Sequence, residues 1–75
     1  MNQIISINPD VLSGMPVFNG TRVPIKNLFD YLETGHTLET FLDEFPSVKK
    51  EQAIALLELA ENVLSSEKFN NENTD

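Results

Sequence analysis

Apolar and polar positions fall into two regimes along this chain. Before Pro24 they come in short β-prone clusters broken by turn residues; after it they recur at helical spacing. Ile4, Ile5 and Ile7 flank Ser6 in a short β-prone arm that Asn8-Pro9-Asp10 stops. Val11-Leu12-Ser13-Gly14 reads as one helical or 3-10 turn ending on glycine, and Met15 to Phe18 is apolar and extended. Asn19-Gly20 stands between Val17-Phe18 and Thr21-Arg22-Val23. This pattern predicts a tight hairpin with a type I′ turn, because Asn and Gly best tolerate positive φ at both centres. Pro24 should end it, since proline cannot donate to a ladder.

Three helices are predicted next. Ile25, Leu28, Phe29 and Leu32 form an i, i+3, i+4, i+7 stripe, and Gly35 after Thr34 is placed to stop the helix. Thr37 is positioned as the N-cap of a second helix containing Leu38, Phe41, Leu42 and Phe45, which Pro46 breaks. The third helix starts near Val48 to Lys50, with Ala53, Leu56, Leu57, Ala60, Val63 and Leu64 as its stripe. Ile54 and Leu59 lie off that stripe. From Ser65 the chain turns polar around a lone Phe69, a composition expected to stay disordered. The expected organisation is a mainly α, three-helix, helix-turn-helix-like domain over residues 1–64, with a short N-terminal β-hairpin or arm. Residues 65–75 form the polar tail.

Composition narrows the function classes. A chain of 75 residues buries only roughly 60% of the surface its unfolded form exposes, so a supplement to its core is expected. Without cysteine and with one histidine, disulfides and thiolate metal sites are excluded, which leaves self-association. Ile4, Ile5 and Ile7 in the arm and Ile54 and Leu59 on the third helix are the candidate dimer contacts, because an unpaired β arm invites another chain. No apolar run reaches the ~20 residues of a membrane span, and no basic leader is visible. A cytoplasmic protein is expected.

The formal net charge of −7 opposes generic nucleic-acid binding, which runs on basic surfaces. Any DNA contact must use local basic spots. The second and third helices have helix-turn-helix length and rhythm. In that reading Lys49 and Lys50 meet phosphate and Gln52 pairs with adenine, while Glu51 repels. The plain alternative is a three-helix packing unit with a solvated helix start. The tip residues Asn19, Thr21 and Arg22 form either a wing that touches phosphate or only a turn, with Arg22 on a carboxylate. Lys26 completes the basic set. His36 has no partners at useful spacing. Glu39 and Asp43, four apart on one short helix, make either a cation site or a solvated acidic face. With no nucleophile–base set and no phosphate loop, neither catalysis nor a cofactor is expected.

The run from Ile5 to Pro24, with Gly14-x-Pro16 and the Gly20-Thr21-Arg22 triplet, resembles the hallmark of a bacterial and archaeal domain-of-unknown-function family, number four-three-three. The helix over Leu28–Leu32, the Gly35 turn, Leu38–Phe45 with Pro46, and the Ala53–Ala60 helix fit its later pattern. The resemblance implies a winged-helix or helix-turn-helix protein. It also implies an antitoxin of the type II toxin–antitoxin kind, which silences a PIN-like ribonuclease and binds its own operon DNA. Where the family often has Thr or Ser and then Pro, this chain has Lys49-Lys50. That loses a cap worth about 0.5–2 kcal/mol and adds positive charge where the macrodipole disfavours it by ~0.3–1 kcal/mol.

The reading is thus a homodimeric antitoxin-like protein with Arg22, Lys26, Lys49, Lys50 and Gln52 as candidate DNA contacts. Lys68 and Phe69 of the tail are the candidate toxin contacts, the lysine facing the nuclease's metal-binding acids and the aromatic acting as anchor. The alternative is a protein-only interaction module that never touches DNA.

Overall fold

The computed structural model describes residues 3–65. In chain order these form β1 (Ile5–Ser6), a turn at Leu12–Gly14, β2 (Val17–Phe18), α1 (Ile25–Glu33), α2 (Leu38–Glu44) and α3 (Lys50–Leu64). The result is a small, mainly helical fold with a two-stranded antiparallel sheet at its N-terminal end, as the pattern of apolar positions predicts.

The sheet is wired differently from the expected hairpin. β2 pairs with β1, Ile5 opposite Phe18 and Ser6 opposite Val17, and residues 7–16 form the connection. Across Asn19-Gly20 there is only an isolated bridge between Val17 and Pro24. The Phe18 N–H donates to the Val23 carbonyl at 3.0 Å and the Ile25 N–H to the Pro16 carbonyl at 3.1 Å. Pro24 sits between those bonds, at the position of the ladder that needs no N–H, so the bridge tolerates it.

The turn itself is also of another type. Gly20 has φ +80° while Asn19 is not in the positive-φ region, the pattern of a type II turn and not of type I′. The Thr21 side chain explains why the loop closes without a ladder. Its hydroxyl donates to the Phe18 carbonyl at 2.8 Å and accepts from the Val23 N–H at 3.0 Å.

The turn at Leu12–Gly14 is left-handed. Leu12, Ser13 and Gly14 have φ of +50°, +57° and +85°, and the Gly14 and Met15 N–H groups close it onto the Val11 and Leu12 carbonyls. Left-handed backbone costs an L-residue about 1–2 kcal/mol, so Leu12 and Ser13 are strained where Gly14 is not. The preceding Asn8-Pro9-Asp10 segment turns sharply, with the Asp10 N–H donating to the Asn8 side chain and the Val11 N–H to the Asn8 carbonyl.

The helices stop and start where local chemistry directs. At the end of α1 the His36 N–H reaches the Tyr31 carbonyl and the Gly35 N–H the Leu32 carbonyl, a Schellman closure. The Thr37 hydroxyl accepts from the Thr40 N–H at 3.1 Å, capping α2. At α3 the N-cap is Lys49, which has no acceptor to offer. Instead the Gln52 side-chain oxygen accepts from the Lys49 N–H at 2.9 Å, the half of a capping box that does not need an N-cap hydroxyl.

Phe18, Leu28, Phe41, Val48, Ala53 and Leu56 make up the buried core. Phe41 is its hub, with Phe18, Tyr31 and Phe45 rings at 6.0, 5.6 and 5.0 Å between centroids. The Tyr31 hydroxyl donates to the Glu44 carboxylate, tying α1 to α2. Residues 45–49 join α2 to α3.

Candidate interaction surfaces

The start of α3 and the Asn19-Gly20 turn, far apart in sequence, meet in space. They line a shallow cleft of about 600 Å³ together with Gln3, Ser47, Lys49 and Glu51. The bond that brings them together comes from Gln52, whose side-chain nitrogen donates to the Asn19 carbonyl at 2.8 Å. Its oxygen is held by the Lys49 N–H. The amide therefore spans loop and helix, and an adenine contact would have to compete with both bonds.

The basic candidates divide into two groups. The Lys26 ammonium lies 2.7 Å from the Asp30 carboxylate, an exposed i, i+4 pair, and this hydrogen bond raises the Lys26 pKa above its ordinary value. Arg22, Lys49 and Lys50 are exposed and among the described residues none forms an ion pair. The Arg22–carboxylate clamp is thus not formed there. Of these three only Lys49 lines the cleft, where Glu51 offsets its charge.

The candidate dimer contacts are also divided. Ile4 and Ile5 are half-buried against the core. Ile7, Ile54 and Leu59 are exposed, by 65%, 38% and 41%. Lys68 and Phe69 lie outside the described residues.

Two apolar surfaces were not legible as such in the sequence. One is the left-handed turn, which exposes Leu12 and Met15. The other is the second half of α3. Ala53 and Leu56 are buried at 0% and 3%, and Leu57 is the last α3 side chain packed on the core. Val63 and Leu64 continue the same stripe yet are each 57% exposed. Among the described residues, the i, i+3, i+4 spacing that announces a buried face continues past the last side chain packed on the core.

Acidic and aromatic groups between α1 and α2 make a separate cluster. The hydrogen bond to Glu44, and to a lesser degree burial, push the Tyr31 pKa above its ordinary value. The His36 ring lies 4.9 Å from that of Tyr31. Among the described residues no group of three His, Cys, Asp or Glu side chains could hold a metal ion, so Glu39 and Asp43 belong to no such group. No described helix is long and apolar enough to cross a membrane.

Comparison with known proteins places this arrangement. The family described as "Protein of unknown function (DUF433)" matches residues 5–60. "Uncharacterized protein y4eO" of Sinorhizobium fredii (strain NBRC 101917 / NGR234) is 38% identical over 50 residues, 67% of this chain and 23% of that protein. The chain therefore spans about a quarter of the length of that relative. The crystal structure of a DUF433 member protein from Anabaena variabilis ATCC 29413 superposes with a TM-score of 0.65 at 25% identity. The match covers 92% of this chain and 66% of that one.

Proposed function

We propose a function on the premise that the chain belongs to the DUF433 family: it is an antitoxin-like binding protein that engages and neutralises a PIN-like ribonuclease. The observation that carries this reading is the apolar stripe of α3, which continues past the core through Val63 and Leu64 on a chain of net charge −7. An enzyme that handles RNA must present basic surface to its substrate. An acidic protein with an uncovered apolar helix face complements such a surface in charge and in shape. The test is co-expression with the product of the adjacent gene. Relief of its toxicity, and inhibition of the purified ribonuclease, are expected. An unrelieved ribonuclease with both proteins soluble refutes the reading.

A second activity, autoregulation at the operon's own DNA, is favoured by one observation. Arg22, Lys49 and Lys50 project without acidic partners among the described residues. The net charge and the engaged Gln52 amide weigh toward a protein-only module. A salt-dependent shift of the promoter fragment separates the two.

A further inference from the structure

β1 is paired along one edge only. The Phe18 N–H donates to the Val23 carbonyl and the Phe18 carbonyl accepts from Thr21, so both groups turn to the loop. Ile5, opposite Phe18, therefore belongs to a pair that exchanges no hydrogen bond. The Asn19 N–H donates to the Ile4 carbonyl, as that alternation requires. It follows that the Ile5 N–H and C=O point away from β2. Carrying the strand on to Ile7 turns its N–H and C=O to the same side. Among the described residues none of these four groups has a hydrogen-bond partner. β2 differs, with β1 on one side and the bridge to Pro24 on the other.

Open edges are commonly blunted by charged residues or proline. Gln3 to Ile7 contains neither. Ile5 packs against the core, while Ile7, on the same face by the two-residue period, is 65% exposed. A row of unmet donors and acceptors with an uncovered isoleucine at its end specifies an extended, apolar segment as its occupant.

Charge decides between the segments on offer. Met1 to Val23 holds one acid, Asp10, and one base, Arg22, so the whole net charge of −7 lies beyond it. Two copies can meet through β1 without the repulsion that the acidic remainder of the chain imposes. Residues 66–75 are acidic and rich in Asn, which strands disfavour.

We infer that β1 is a self-association edge: two copies pair β1 to β1, antiparallel, about a two-fold axis at Ser6. The result is a four-stranded sheet in the order β2-β1-β1-β2. In this register each Ile5 lies opposite the partner's Ile7, and four backbone hydrogen bonds close. Each exposed Ile7 is then covered by the other copy, as an isologous contact requires. Pro9 falls opposite the partner's Gln3 and, lacking an N–H, ends the ladder. So short a ladder belongs with the weak interfaces that bury less than about 1,200 Å², which makes the dimer concentration-dependent. The inference does not rest on the functional reading above.

Sedimentation equilibrium of the full chain from micromolar to millimolar concentration should show a monomer–dimer equilibrium. Hydrogen exchange at the Ile5 amide should slow as the dimer fills. Ile7→Lys should weaken the dimer roughly tenfold or more, and Leu59→Lys, exposed elsewhere, should leave it unchanged. Circular dichroism checks that the helices persist; if Ile7→Lys loses them, Ile7→Ser replaces it. Ser6→Cys, in a chain without other cysteines, should form a disulfide-linked dimer on mild oxidation. The two-fold sets the two Cα atoms about 4.5 Å apart, within the roughly 4.4–6.8 Å that a disulfide spans. Glu58→Cys should not crosslink.

A chain that stays monomeric at millimolar concentration overturns the inference. So does a dimer that Ile7→Lys leaves unchanged, or one that Glu58→Cys traps as readily as Ser6→Cys. Slow exchange of the Ile5 amide in a monomer, independent of concentration, would assign the edge to another segment of the same chain and overturn it as well.

Discussion

The Gln52 side-chain amide donates to the Asn19 carbonyl across 33 residues of chain, at 2.8 Å, while its oxygen accepts from the Lys49 N–H. One side chain thereby starts α3 and fastens it to the β2 turn. Neither bond is shielded from water, so each contributes about 0.5–1.5 kcal/mol. Gln52→Ala should lower stability by about 1–2 kcal/mol. Gln52→Glu keeps the acceptor but sets a carboxylate against the Asn19 oxygen, and should recover little. Urea melts of the three proteins check this; a Glu variant as stable as wild type would show that the Asn19 bond contributes nothing.

Gly20 has φ +80° with open space where a Cβ would be. Only the backbone resists substitution there, so Gly20→Ala should destabilise by about 1–2 kcal/mol. Ser13 is the converse case, a serine at φ +57°. Ser13→Gly removes that strain and should gain stability or leave it unchanged, since the added freedom of the unfolded glycine offsets part of the gain. Thermal melts of both variants decide the signs.

Lys49 is the N-cap of α3 without a capping acceptor. Lys49→Ser supplies one and should stabilise by about 0.5–2 kcal/mol. In the same place Lys49→Glu with Lys50→Glu favours the helix dipole, so the helical signal should hold. If the chain binds its promoter through this end, that charge reversal abolishes a shift that salt already weakens steeply. A shift retained by the double Glu variant would remove the start of α3 from the DNA interface.

Tyr31 and Lys26 titrate above their ordinary values in the folded chain, through the hydrogen bonds to Glu44 and Asp30 respectively. A raised folded pKa means that the folded state holds the proton more tightly. The stabilisation is then complete below the unfolded values of 10.0 and 10.5 and is lost as pH rises through the folded ones. Stability should be flat from pH 7 to 9 in these two groups and fall above about pH 10. Tyr31→Phe should remove most of that alkaline slope, and denaturant titrations at pH 9 and pH 11 measure it. The Lys26 pair is fully solvated, so Lys26→Met should change the slope little.

Truncation after Leu64 removes Lys68 and Phe69. With α3 as the proposed docking element, the shortened chain should still inhibit the partner ribonuclease at unchanged stoichiometry. A truncated chain that binds without inhibiting would return the neutralising contact to Lys68 and Phe69.

The elements that the sequence determines by itself are those set by neighbours within four residues. Thr37 caps α2, Gly35 closes α1 and Pro46 follows the end of α2 because the groups involved lie within a single turn of helix. The stripe from Ala53 to Leu57 predicts a buried face for the same reason. What the tertiary structure alone decides is which partner takes up each exposed bond or face. Val17-Phe18 takes Ile5-Ser6 as its strand partner and meets Val23-Pro24 only through an isolated bridge, while the Thr21 side chain closes the loop between them. Gln52 reaches Asn19 only when α3 is packed. The stripe through Val63 and Leu64 cannot announce that these side chains stay exposed among the described residues: helical periodicity records which face of α3 is apolar, while burial depends on which other elements pack alongside it.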